Sequence, residues 1–148
     1  LLAQDKETLY YFNLREIPPR SNKPNTLQIA LQTRIKMFYR PHALMKSPAE
    51  MVNIFKDKIT MTLEGGKYRV NNKTPYFFTL VTATVAGKDI AAVQPVMIAP
   101  QSSATLPVGA EVMGNAPALT FINDYGGRPK LIFRCSGSAC NVSDYKAG

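Results

Sequence analysis

Residues 25–41 read NTLQIALQTRIKMFYRP and organise the beginning of the chain. Aliphatic side chains alternate with polar or small ones along this stretch, starting with Leu27, Ile29 and Leu31. A period of two places successive side chains on opposite faces of an extended chain, so the stretch predicts one long β-strand. Its length is about twice the ~5–6 residues of an ordinary strand. It is therefore either a core strand that overshoots its sheet or an edge strand that pairs with another chain.

A second alternating run precedes this strand. The run LYYFNLREI at residues 9–17 is rich in aromatic residues, which favour pleated surfaces. The turn-rich segment PPRSNKPN separates the two runs. The simplest structure is a hairpin in which residues 9–17 pair with residues 27–38. Because a lone two-stranded hairpin is marginal in water, other strands must complete its sheet.

The remainder of the chain alternates short β-type runs with turn signals. It follows the segment PHALMKSPA at residues 41–49, which we interpret as a linker. Seven or eight short strands over about 100 residues are typical of an all-β, immunoglobulin-like sandwich. Ser47 followed by Glu50 predicts one or two helical turns, and Asn71–Asn72 predicts a turn. The predicted strands are residues 58–63, 68–70, 76–85, 93–98, 103–106, 119–122, 130–134 and 141–145.

The composition is that of one or two folded domains, with 45% apolar and 19% charged residues among 148. The net charge of +8 suggests an acidic partner, but the charge is spread along the chain without a nucleic-acid-binding motif. No apolar run approaches the ~20 residues that cross a bilayer. We therefore expect neither nucleic-acid binding nor membrane insertion.

Candidate catalytic and metal-binding groups are few. His42 is the only histidine, and its sequence context supplies neither a nucleophile nor an orienting group. The carboxylates are scattered, and the glycine pairs do not form a phosphate-binding pattern. We expect no enzymatic activity, no cofactor and no metal site. An enzyme that uses His42 is the weakest of the hypotheses.

The two cysteines, Cys135 and Cys140, bracket the turn formers Ser136, Gly137 and Ser138. A pair on either side of a turn can meet the short Cα separation of a disulfide. Zinc would need more ligands than these two thiols and one distant histidine. We favour an oxidised pair in an oxidising compartment, while two free thiols in a cytosolic protein remain the alternative.

Three motifs, followed by the cysteine hairpin, carry a family resemblance: YYFNLREIPPR, NTLQIALQTRIKMFYRP and INDYGGRP. In this order they resemble the periplasmic chaperones of the chaperone–usher pilus pathway, most of all the P-pilus chaperones. The likeness runs over essentially the whole chain. It implies two immunoglobulin-like domains. Residues 1–40 would be the F and G strands of an incomplete N-terminal domain, residues 41–49 a linker, and residues 50–148 the C-terminal domain.

The resemblance also assigns roles to individual residues. It makes Lys36 an anchor for the terminal carboxylate of a pilin. Asp124 alone suggests a carboxylate that caps its own turn, but the resemblance places it in an interdomain ionic network with Glu7 and Arg40. The residues that match the family's pilin-binding donor strand are Asn25, Leu27, Ile29 and Leu31.

The function implied by the resemblance is a periplasmic chaperone that caps pilin subunits by donor-strand pairing and delivers them to an outer-membrane usher. Because the family's earlier strands have no counterpart in this sequence, we expect a missing N-terminal segment or a swapped copy of the chain to complete the first sheet. The alternative is a structural β-sandwich pilin or adhesin subunit that donates its N-terminal hairpin to a neighbouring copy.

Overall fold

The computed structural model describes residues 2–148 and contains two hydrogen-bonded β-sheets. The first sheet has two strands, β1 (Thr8–Arg15) and β2 (Gln32–Tyr39). A 3₁₀ turn (His42–Leu44) and helix α1 (Pro48–Lys58) lead into the second sheet, and a short helix α2 (Ala110–Met113) interrupts it. The strands of the second sheet are β3 (Ile59–Glu64), β4 (Lys67–Asn72), β5 (Phe78–Val85), β6 (Lys88–Asp89), β7 (Val96–Ile98), β8 (Ser102–Gly109), β9 (Ala118–Ile122), β10 (Lys130–Ser136) and β11 (Ala139–Lys146).

The hairpin of β1 and β2 is antiparallel, and its register runs from Thr8 opposite Tyr39 to Arg15 opposite Gln32. The predicted strand over residues 27–38 is therefore wrong in its first half. One further hydrogen bond, from the Glu16 amide to the Leu31 carbonyl at 2.8 Å, ends the ladder. Residues 25–31 have no partner strand, because β1 stops before the two prolines at 18–19, which have no amide hydrogen to donate.

The second sheet follows the order β6-β5-β9-β10-β11-β3-β4-β8, with β7 paired to β5. The sheet curls so that residues from its two ends share one core. Ile59, Met61 and Val70 on β3 and β4 belong to the same buried cluster as Phe78 and Phe133 on β5 and β10. Each of the eight strands predicted between residues 58 and 145 overlaps an observed strand, and the prediction of an all-β, immunoglobulin-like fold is confirmed.

Helix α1 is longer than the one or two turns predicted from the sequence. It spans eleven residues, and the Ser47 hydroxyl accepts a hydrogen bond from the Glu50 amide at 3.2 Å, as the capping signal predicts. Only Met51 and Phe55 are buried among its residues, so its apolar stripe is too sparse to reveal a 3.6-residue period. The Phe55 ring packs against both Phe78 and Phe121, with ring centroids 6.0 and 5.4 Å apart, which fixes the helix on the core.

The two cysteines form the predicted disulfide. Cys135 and Cys140 are directly opposite each other on β10 and β11, with their Cα atoms 4.0 Å apart. The register of the hairpin brings the two side chains to the same face of the sheet. The interpretation as an oxidised pair is confirmed, and the alternative of two free thiols is wrong.

Candidate functional site

Arg40, directly after β2, joins three distant parts of the chain. Its Nε donates a hydrogen bond to Glu7 Oε2 at 2.8 Å. Its two terminal nitrogens donate to the two carboxylate oxygens of Asp124 at 2.7 and 3.0 Å. The forked geometry of a guanidinium suits this simultaneous contact with two carboxylates. The hydrogen bonds to Asp124 and Glu7 raise the pKa of Arg40 despite the opposing effect of burial, so the group stays charged.

Glu7 is the buried member of this cluster. Its side chain is 3% exposed, against 24% for Arg40 and 47% for Asp124. Its second carboxylate oxygen, Oε1, accepts a hydrogen bond from the Phe77 amide at 2.7 Å, and its own amide donates to the Pro75 carbonyl at 2.8 Å. The segment before β1 is thus attached to the loop before β5 by both backbone and side chain.

The loop that receives Glu7 is held by the buried side chain of Asn72. The Asn72 amide nitrogen donates to the carbonyls of Tyr76, Ile98 and Ala99, while its oxygen accepts from the amide and hydroxyl of Thr74. The predicted turn at Asn71–Asn72 is wrong, because both residues belong to β4. A buried, fully bonded amide of this kind rigidifies its surroundings.

Aromatic side chains of both sheets meet beside Arg40. The Phe38 ring on β2 lies 5.4 Å from the Phe77 ring. The Arg40 guanidinium lies 4.9 Å from the centre of the Tyr76 ring, and the Tyr76 hydroxyl donates to the Leu44 carbonyl at 2.6 Å. Burial raises the pKa of Tyr76, which keeps this donor protonated. These groups border a cavity of about 330 Å³ between the hairpin and the second sheet.

The residues predicted to form the pilin-binding donor strand lie together on the surface, beyond the end of the β-ladder. The exposed fractions of Leu27, Ile29 and Leu31 are 82%, 64% and 63%. Asn25 has a positive φ of 58°, which ends the extended run on its N-terminal side. Within the described residues, β2 pairs only with β1, so its other edge is open.

Lys36 lies within β2, directly opposite Tyr11 of β1. Strand alternation places Lys36 on the same face of β2 as Phe38. The Phe38 side chain lines the cavity beside Arg40. Lys36 is roughly 13 Å from Arg40 along the chain, at ~3.3 Å per residue, and forms no salt bridge with any residue of the described range 2–148. The structure therefore keeps Lys36 apart from the Glu7–Arg40–Asp124 cluster.

Two further sequence predictions concern metal sites and membrane insertion. Residues 2–148 contain no group of three or more His, Cys, Asp or Glu side chains placed to hold a metal ion. Over the same range, no helix has both the length and the apolar character required to cross a membrane. His42 is exposed on the 3₁₀ turn.

The sequence matches two family descriptions that divide it along its length. Residues 1–45 match "Pili and flagellar-assembly chaperone, PapD N-terminal domain". Residues 55–133, more than half of the chain, match "Pili assembly chaperone PapD, C-terminal domain". The chain belongs to the PapD family of pili assembly chaperones.

Two curated chaperones are similar to this protein over nearly its whole chain. The probable fimbrial chaperone YfcS of Escherichia coli K12 is 46% identical over 97% of the chain, and the Escherichia coli chaperone PapD is 46% identical over 98%. The chain spans 56% and 59% of the lengths of these two relatives. Both are named as chaperones, which favours the chaperone hypothesis over the pilin or adhesin alternative.

A solved structure of a chaperone–pilin complex is similar to this chain in fold. It is the SafA pilin of Salmonella enterica in complex with the SafB chaperone, with a TM-score of 0.65 and 25% identity. The match covers 95% of this chain and 62% of the solved one.

Sequence reasoning did not identify the residues that hold Glu7 and Arg40 in place, which are Asn72, Thr74, Tyr76 and Phe77. They lie in a segment that the sequence presents as a turn followed by a strand. The one available signal is the pattern Asn-x-Thr-x-Tyr at residues 72–76, in which an amide and a hydroxyl stand two residues apart at a strand end.

Proposed function

We propose that this protein is a periplasmic chaperone that binds pilin subunits by donor-strand pairing and delivers them to an outer-membrane usher. The observation that carries the proposal is the position of Leu27, Ile29 and Leu31. Three aliphatic side chains at alternate positions are exposed, and they continue directly into a strand with an open edge. This is the arrangement of β-augmentation, in which main-chain hydrogen bonds give affinity and alternate side chains fill pockets.

Burial of this segment against a pilin would contribute favourable free energy to binding. Burial of one aliphatic side chain contributes ~1.5–3 kcal/mol, so the three together provide several kcal/mol before the entropic costs of association. Apart from the Leu31 carbonyl, which accepts a hydrogen bond from the Glu16 amide, no backbone group of residues 25–31 is bonded to the backbone of residues 2–148. A pilin strand could therefore add backbone hydrogen bonds along this segment. Asn25, where the backbone turns, would mark the end of the paired segment.

Lys36 supplies the ionic part of the proposed site. A pilin strand that adds to the open edge of β2 would bring its terminal carboxylate within reach of this lysine. Charge-assisted hydrogen bonds between ammonium and carboxylate groups are about twice as strong as neutral ones. The same strand would then be fixed at one end by charge and along its length by aliphatic contacts.

The domain organisation that we propose follows the sheets. Residues 1–40 form the F and G strands of the N-terminal domain, residues 41–49 the linker, and residues 50–148 the C-terminal domain. The separate two-stranded sheet supports the first unit, and the curled second sheet supports the last. Helix α1 begins at Pro48, inside the proposed linker, so the linker ends in the first helical turn. The Glu7–Arg40–Asp124 cluster would then fix the angle between the domains.

The proposed activity involves no catalysis and no cofactor. Donor-strand pairing forms and breaks only non-covalent contacts, so it requires neither a nucleophile nor a metal. The disulfide between Cys135 and Cys140 supports the periplasm as the site of action, because such bonds persist in that oxidising compartment.

The test is a double substitution in the protein expressed with its pilin subunit. Leu31→Asp together with Lys36→Ala is expected to abolish recovery of soluble pilin from the periplasm, because it places a charge in the aliphatic row and removes the carboxylate anchor. The matched control is Ala30→Asp with Lys36 unchanged, since an extended chain directs residue 30 to the opposite face. Unchanged pilin recovery with the double variant would contradict the proposed site.

A further inference from the structure

The two faces of the β1–β2 hairpin differ sharply in chemistry. One face is apolar and carries Tyr10, Phe12, Leu14, Ile35, Met37 and Tyr39. The other face carries all the charged residues of the two strands, which are Arg15, Arg34 and Lys36. Neither strand contains an acidic residue. The charged face therefore has an unbalanced positive charge, which favours an anionic partner on this side.

Arg34 occupies a defined position on that face. Its guanidinium carbon lies 3.7 Å from the centre of the Tyr11 ring on the neighbouring strand. Tyr11 is directly opposite Lys36 in the ladder, while Arg34 is opposite Asn13. The ring therefore contacts the guanidinium diagonally. Stacking on an aromatic face restricts an arginine side chain and leaves the N–H edge of its plane free to bind an acceptor.

Arg34 and Lys36 are neighbouring cations at positions i and i+2 of one strand. Their Cα atoms are about 6.6 Å apart, at ~3.3 Å per residue. Neither forms a salt bridge with a carboxylate of residues 2–148. An added strand would place its own side chains beside these two at the same two-residue spacing, whichever direction it ran.

We propose that Arg34, held by Tyr11, is a second cationic subsite that selects an acidic side chain on the strand that a client adds to the open edge of β2. This inference rests on the proposed function, because it requires a strand at that edge. The preferred client strand carries Asp or Glu beside Arg34, two residues from the group beside Lys36. Arg34 thus contributes to the choice of client, whereas the aliphatic row supplies affinity for any strand that fits.

The test uses synthetic peptides and this 148-residue chain. Each peptide is an extended segment of alternating Val and Thr with a free terminal carboxylate. A series places one Asp at successive Thr positions, and each peptide has an Asn counterpart. Affinity is measured by fluorescence anisotropy. The peptide with Asp at one position is expected to bind about 1.4- to 5-fold tighter than its Asn counterpart, the range for opposite charges across a strand pair. This gain is expected to disappear in Arg34→Gln and to fall in Tyr11→Leu.

The matched control is Lys23→Gln, which removes the same charge from the exposed loop of the hairpin and is expected to retain the Asp preference. The subsite is overturned if no Asp position is preferred, or if the preference persists in Arg34→Gln. A failure of the proposed function gives a different result. In that case the Asn peptides either do not bind or bind equally well to the Ile29→Asp variant.

Discussion

Replacing Arg40 with Met is expected to lower the free energy of unfolding by about 3 kcal/mol, near the lower end of the ~3–5 kcal/mol cost of breaking a buried ion pair. The cost arises at Glu7, whose side chain is 3% exposed and would lose the only cation that pairs with it among residues 2–148. One quarter of the Arg40 side chain is in contact with solvent, which moderates the effect. Urea unfolding followed by circular dichroism measures the difference.

Two controls separate the buried part of the cluster from the exposed part. Asp124→Asn is expected to cost at most about 1 kcal/mol, because exposed ion pairs contribute little and the Asp124 side chain is 47% exposed. In a Glu7→Gln background, the Arg40 substitution is expected to cost much less than in the original protein, as a double-mutant cycle would show. Equal costs for Arg40→Met and Asp124→Asn would contradict the assignment of the effect to buried Glu7.

Ile29→Asp is expected to weaken pilin binding by at least about 100-fold. The substitution removes ~1.5–3 kcal/mol of aliphatic burial and adds the cost of a carboxylate without a partner, and each 1.4 kcal/mol corresponds to a factor of ten. The native side chain is 64% exposed, so its loss leaves the fold of the free protein unchanged. Titration with a purified pilin subunit, measured by calorimetry, gives both affinities.

Ala30→Asp is the matched control for this experiment. It introduces the same carboxylate one residue away, on the opposite face of an extended chain, and is expected to change the affinity less than tenfold. Equal losses for Ile29→Asp and Ala30→Asp would show that the segment does not bind as a strand. If both variants kept the affinity of the original protein, residues 25–31 would not take part in pilin binding.

The periodic parts of the fold were predictable from the sequence. The alternating runs at residues 9–17 and 130–134, and the turn between the cysteines, depend on local patterns that the structure retains. Residues 27–31 have the same alternation but no strand, because hydrogen bonding requires a partner that residues 18–24 do not supply. The length of helix α1 was underestimated because only two of its residues, Met51 and Phe55, are buried. Two buried residues do not produce a recognisable 3.6-residue period in the sequence.

The contacts of the candidate site were not predictable from spacing alone. Arg40 is 33 residues from Glu7 and 84 residues from Asp124, and only the folded chain brings the three together. The family resemblance named these three residues, but it did not indicate that Glu7 also binds the Phe77 amide or that Asn72 supports that loop. Such contacts depend on loop conformation, which local pattern does not determine.

The central claim is that residues 25–31 become a β-strand when a pilin binds. Amide hydrogen exchange of the protein, free and in complex with a pilin subunit, tests it most directly, because exchange reports backbone hydrogen bonding residue by residue. We expect amides in residues 25–31 to exchange rapidly in the free protein and to become protected in the complex, together with those on the open edge of β2. A stable complex in which residues 25–31 still exchange as in the free protein would contradict the account.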